Sequence, residues 1–232
     1  MVNAARIATA GLLAYGAWRM HQQSQADAQA QAATDAQDWT SAGSDILTTA
    51  DGVLTDTSQS AAEFIDNITG GFLQVSSMSR VNPFDLNNSN VQALLRVIRT
   101  GEGTTGVNGY RTLFGGGLFD SYADHPRITV NSSGYTSTAA GAYQIIASTW
   151  DETKRIMQLP DFSPRSQDLA ALGRIAARGA LEDAKAGQFE TAIKKIAREW
   201  ASLPGSPYGQ PVISWERARA IYASAGGSTA MA

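Results

Sequence analysis

The apolar residues of this 232-residue chain change their pattern near Arg80, and that change limits it to one self-sufficient core. Beyond Trp39 they recur sparsely, at Ile46/Leu47, Ala50, Val53/Leu54, Thr57, Ala61, Phe64/Ile65, Ile68 and Phe72. Steps of three and four draw one stripe on a Ser/Thr/Asp-rich helix, which has too little apolar surface to stand alone. Past Arg80 several faces follow closely: Val91, Leu94, Leu95, Val97 and Ile98, then Leu169, Leu172, Ile175 and Ala176, then Phe189, Ile193, Ile196, Ala197 and Trp200. The division predicts an amphipathic helical arm over 39–79 and a folded domain over 80–232. Gly70-Gly71 and Arg80-Val-Asn-Pro mark the joint.

Charge divides at the same place. Residues 1–79 carry two basic side chains against eight acidic ones, and residues 80–232 carry sixteen against thirteen. A faintly basic domain suits an anionic polymer, but a surplus of three is far too small for a nucleic-acid partner. The absence of cysteine excludes disulfides and thiolate metal sites, and two histidines, His21 and His125, argue against an imidazole-based metal centre. No cofactor is expected.

Residues 1–38 hold an apolar segment and a spacer. Ile7 to Trp18 is uncharged between Arg6 and Arg19, short for a bilayer span and of the length of a signal-peptide core or an interfacial segment. Small-x-small steps at Ala26-Asp27-Ala28 and Ala28-Gln29-Ala30 would suit signal peptidase. We expect an uncleaved segment that inserts into a membrane or packs on other chains, with a secretory leader and helical burial within this protein as the alternatives. His21 to Gln37 is an Ala/Gln tract with nothing large to bury.

In the domain, a helix over Asp85–Arg99, capped by Asn88, Ser89 or Asn90, leads into Arg-Thr-Gly-Glu-Gly-Thr-Thr-Gly, which places Glu102 between two glycines at a helix exit. The aromatic runs around Gly115-Gly-Gly, from Gly109 to Phe119, read as a small β-hairpin. Ser163-Pro164 opens a further helix, Leu203 to Gln210 is a Pro/Gly-rich loop, and a last helix covers Ser214 to about Ala223. Trp150, Trp200 and Phe162 fall on helix faces as core residues, and His125 before Pro126 reads as a loop residue holding backbone. The fold class is α+β: mainly helical, with one small hairpin, preceded by a helical arm.

Five motifs in order carry a family resemblance: Glu102-Gly-Thr; Leu118-Phe-Asp-Ser-Tyr-Ala-Asp-His-Pro-Arg; Ser137-Thr-Ala-Ala-Gly-Ala-Tyr-Gln-Ile; Asp161-Phe-Ser-Pro-Arg-Ser-Gln-Asp; and Trp200-Ala-Ser-Leu-Pro-Gly. Over roughly residues 88–224 the chain resembles the lambda-phage endolysin family of lysozyme-like lytic transglycosylases. It departs from the family at Ala142, where an arginine is frequent.

The resemblance implies a peptidoglycan-cleaving enzyme of phage origin with Glu102 as the acid that protonates the leaving oxygen. A hydrolase ordinarily adds a second carboxylate. Between Gly103 and Phe119 there is none, and Asp120 and Asp124 are the next available. Their absence nearer to Glu102 fits the family chemistry, in which the muramoyl 6-hydroxyl attacks the anomeric carbon and leaves a 1,6-anhydromuramoyl end; simple hydrolysis is the alternative. Ser137, Thr138, Tyr143 and Gln144 are expected to contact substrate, with Tyr208 and Gln210 behind them. The expected partners are bacterial peptidoglycan and, through the arm, a membrane, virion proteins or further copies of the chain. We expect a virion-associated enzyme that acts on the host periplasm or cell wall at entry. An exported lysis enzyme and a wall-binding virion component without turnover are the alternatives.

Overall fold

A computed structural model describes residues 77–132, 135–208 and 211–228. The expectations for the apolar segment, the spacer and nearly all of the arm therefore lie outside the described residues. Six α-helices and a two-stranded sheet follow one another there: α1 (Ser89–Gly101), β1 (Val130–Ser132), β2 (Tyr135–Ser137), α2 (Ala147–Met157), α3 (Pro164–Ala177), α4 (Leu181–Lys185), α5 (Phe189–Ile196) and α6 (Trp215–Ser224). A short 3-10 turn, Pro83–Asn87, precedes α1, and two more, Gly109–Arg111 and Phe114–Gly116, lie between α1 and β1. The α+β class holds.

Helix α1 is the axis of the core. Val91, Ala93, Leu94, Leu95, Val97 and Ile98 are buried on it, against α6 and α4. Asn88 supplies the N-cap, its Oδ1 accepting from the backbone N–H of Asn90 at 2.9 Å and of Val91 at 3.2 Å. Ser163 and Ser214 cap α3 and α6 in the same way, accepting from the third residue on. Of the three aromatics expected on helix faces, Trp150 lies on α2, whereas Phe162 and Trp200 are buried in the segments before α3 and after α5. Trp150 and Phe162 are fully buried and pack edge to face with ring centroids 4.7 Å apart, and Trp200 is buried in the same core cluster.

The hairpin stands elsewhere than expected. Gly109–Phe119 forms two 3-10 turns joined by a single antiparallel bridge, Thr112 with Leu118, because the left-handed Gly115 and Gly116 close the loop before strands can extend. The strand pair is Val130–Ser132 with Tyr135–Ser137, in register Val130↔Ser137, Asn131↔Thr136 and Ser132↔Tyr135. Thr136 donates its hydroxyl to Asn131 across the strands. Three residues per strand, mostly polar, leave no alternation that could be read in advance.

Candidate active site

Glu102 occupies the C-cap of α1, and the helix ends in a way that fixes it there. Its N–H bonds Ile98 O at 2.9 Å, Gly103 N–H reaches Thr100 O at 3.2 Å, and Thr104 N–H reaches Arg99 O at 2.9 Å. This is a Schellman ending with Gly103 at φ +71° in the left-handed position. Open space surrounds Gly103, so backbone conformation and not crowding calls for glycine. Thr104 is buried and ties the exit to the body of the domain by donating to Ala142 O. Gly109 packs so closely on Thr104 that a Cβ there would lie 1.8 Å from Thr104 O.

The Glu102 carboxyl accepts a hydrogen bond from Ser202 Oγ at 2.7 Å, one hundred residues away in sequence. Burial pushes its pKa up to about 7 from the usual 4.5, and the Ser202 hydroxyl pulls the other way. The residue is partly exposed, so a ligand can reach it. Among the described residues no charged side chain adds to these two influences. A carboxyl of that kind retains a proton near neutrality and can give it up, which is what a glycosidase acid requires.

The other two candidate acids are already committed. Asp120 is fully exposed and pairs with Arg111 at 2.8 Å. Asp124 is raised by desolvation, but donors from Trp150 Nε1 at 2.8 Å, Lys154 Nζ at 2.9 Å and Arg127 at 3.3 Å carry its pKa well below the usual carboxylate range. Next to it His125 is buried; its Nδ1 accepts from Arg127 N–H at 3.1 Å, so Nε2 donates to Ile145 O at 2.9 Å. Burial lowers its pKa to about 4, so it stays neutral and holds backbone, as expected.

The expected substrate contacts separate into two groups. Tyr143 and Gln144, expected to contact substrate, are 1% and 2% exposed. Tyr143 donates to Asp168 Oδ1 at 2.6 Å, and the same oxygen accepts from Tyr110 at 2.8 Å. Gln144 sits at φ +48° and donates Nε2 to Thr112 O at 3.0 Å and Gly141 O at 2.9 Å, holding the 138–146 turn. Ser137 is also buried, its Oγ accepting from Ala139 N–H at 2.9 Å. Thr138 and Tyr208 keep partial exposure; the first accepts from Ala147 N–H at 3.1 Å and the second donates to Arg198 O at 3.0 Å. Gln210 lies outside the described residues.

Ser202 is the site residue that sequence reasoning missed. It stands inside the Trp200-Ala-Ser-Leu-Pro-Gly motif, but nothing local links that motif to Glu102. Its segment is firmly held. Trp200 Nε1 donates to Tyr143 O at 3.2 Å, Ile213 N–H reaches Ser202 O at 2.9 Å, and Glu199 is buried between Arg174 at 2.7 Å and Arg178 at 2.7 Å.

The chain is similar to known proteins over most of the described residues. The Endolysin family model matches residues 92–229. The endolysin of Escherichia phage lambda is 42% identical over 131 residues, covering 53% of this chain and 82% of that protein. The endolysin of Escherichia phage P2 is 38% identical over 154 residues, covering 60% and 93% respectively. The solved bacteriophage lambda lysozyme complexed with a chitohexasaccharide superposes with a TM-score of 0.58 at 39% identity, covering 62% of this chain and 97% of that one. A helical domain with a small sheet and a proton-retaining carboxyl at the exit of its central helix thus coincides with the matched region, and the chain belongs to the endolysin family of lysozyme-like, cell-wall lytic enzymes.

Proposed function

We propose that this enzyme is a lytic transglycosylase that cuts the MurNAc–GlcNAc β-1,4 bond of peptidoglycan. The observation that carries the reading is the solitary state of Glu102: one raised carboxyl, one hydroxyl partner and no second acid coupled to it among the described residues. Protonated Glu102 donates to the bridging oxygen as the anomeric C–O bond breaks, and the resulting carboxylate takes the proton from the muramoyl 6-hydroxyl as that oxygen bonds to the anomeric carbon. No water enters the products. A hydrolase of this class would need an activated water or a carboxylate nucleophile. Asp120 and Asp124 are each ion-paired, which favours the intramolecular route. Thr138 and Tyr208 are the proposed glycan contacts that retain exposed surface. The chitohexasaccharide bound by the lambda lysozyme supports a glycan substrate.

The endolysin relatives favour a role in host lysis over one at entry. The alternative of a virion-borne enzyme, with docking to a membrane, virion proteins or further copies of the chain, rests on the arm. No helix among the described residues is long and apolar enough to cross a membrane. Digestion of purified peptidoglycan followed by mass spectrometry tests the chemistry: the reading expects muropeptides one water lighter than hydrolysis products and without a reducing muramic end. Reducible muramic ends overturn it.

A further inference from the structure

We infer that Ser202 is a positioning residue for the acid: its hydroxyl holds Oε1 of Glu102, leaving Oε2 as the oxygen that presents the proton, and Gly101 is the residue that lets that hydroxyl reach it. This rests on the role of Glu102 given above. Ser202 Oγ donates to Oε1 at 2.7 Å, and no hydrogen bond to Oε2 forms among the described residues. Two oxygens that are equivalent in a free carboxylate are therefore made different by one donor. The proton stays on Oε2 in the acid form, and the anion left after transfer is stabilised at Oε1.

Gly101 supplies the second, independent observation. A Cβ placed on it would lie 2.5 Å from Ser202 Oγ and 3.2 Å from Ser202 Cβ, so any larger residue displaces the donor from the carboxyl. Gly101 is the last residue of α1 and is not in the left-handed region, so helix geometry does not call for glycine. What it accommodates is the approach of Ser202. On the far side, Trp200 is bonded to Tyr143 O and Ser202 O accepts from Ile213 N–H, which fixes the segment from which the hydroxyl projects.

Charged groups on the neighbouring elements are engaged elsewhere. Arg99 lies over the Tyr110 ring at 4.5 Å, Asp168 accepts from Tyr110 and Tyr143, and Glu199 is paired with Arg174 and Arg178. Among the described residues, the Ser202 hydroxyl is thus the one polar group that acts on Glu102 against burial.

The experiment follows kcat/KM and kcat against pH for the full-length chain as wild type, Ser202→Ala, Gly101→Ala and the double variant, with 13C NMR titration of the Glu102 carboxyl in each. Loss of a hydrogen bond to a charged group moves the alkaline limb, and the NMR midpoint, up by about one pH unit. We expect that movement in Ser202→Ala, with kcat down on the order of tenfold and KM unchanged, because orientation is lost and not binding. Gly101→Ala should show the same movement although its serine is intact, and the double variant should add little to either. Ser202→Cys, a weak donor of similar size, should fall between and serves if the alanine variant is unstable. A folded Ser202→Ala or Gly101→Ala protein with unchanged limb and midpoint overturns the inference. If the wild type fails to cleave glycan, the functional reading falls, while the NMR midpoints still decide the coupling of Ser202 to Glu102.

Discussion

Two glutamates of the same domain, Glu102 and Glu199, have carboxyl pKa values displaced in opposite directions. Burial acts to raise both. At Glu199 the guanidinium groups of Arg174 and Arg178 outweigh it and hold the carboxyl below its usual range, whereas at Glu102 a single hydroxyl opposes it and the pKa settles at about 7. What sets them apart is the pair of cations that faces Glu199. Glu199 is a permanent anion that fixes the end of α5 to α3, three residues before the serine that reaches Glu102. Under the proposed function, the acid is made by withholding from Glu102 what Glu199 receives.

The comparison can be broken most visibly at Glu102 itself. Glu102→Gln keeps shape and polarity but has no proton to give, so glycan cleavage should fall by about 10²–10⁴-fold or more with the fold unchanged by circular dichroism. Substantial activity in a folded variant would move the acid elsewhere. The second effect is on stability at the other glutamate. Glu199→Gln leaves the buried Arg174 with only Glu152, and Arg178 with no carboxylate, among the described residues, and urea denaturation should show a loss of about 3 kcal/mol. A loss below about 1 kcal/mol would mean that the buried pair is not the anchor it looks like.

A third test uses pH. Because folding raises the Glu102 pKa, the folded state binds the proton more tightly than the unfolded chain between about 4.5 and 7, so this group's contribution to stability declines as pH rises through that window. Glu102→Gln should therefore be more stable than wild type at pH 8, by about 2 kcal/mol, and close to it at pH 4. Equal differences at both pH values would remove burial as the cause. The smallest effect concerns the helix exit: Gly103→Ala, with open space but φ +71°, should cost about 1 kcal/mol of backbone strain in a melting experiment.

The sequence revealed more of the scaffold than of the site. Asn88, Ser163-Pro164 and Ser214 could be read as helix starts, because caps act within a few residues; the burial of Trp150, Phe162 and Trp200 was legible too, but only Trp150 stands on a helix. Glu102 could be placed at a helix exit for the same reason. The hairpin was misplaced because aromatic runs around glycines resemble strands, while Val130–Ser137 has no apolar alternation to announce one. Tyr143 and Gln144 were assigned to substrate contact by residue type, and their hydrogen-bond partners, Asp168 and Thr112, which lie 25 and 32 residues away, were not legible. Ser202 could not be connected to Glu102 at all, since the pairing spans one hundred residues and exists only once α1 and the segment after α5 have packed.

The central claim is that Glu102 retains its proton near neutrality because burial is left without a compensating cation. Its most direct test is a 13C NMR titration of the glutamate carboxyls in the full-length protein. The account predicts that Glu102 titrates near pH 7 and Glu199 below the usual carboxylate range. A Glu102 midpoint near 4.5, alongside that of an ordinary exposed glutamate, would contradict it.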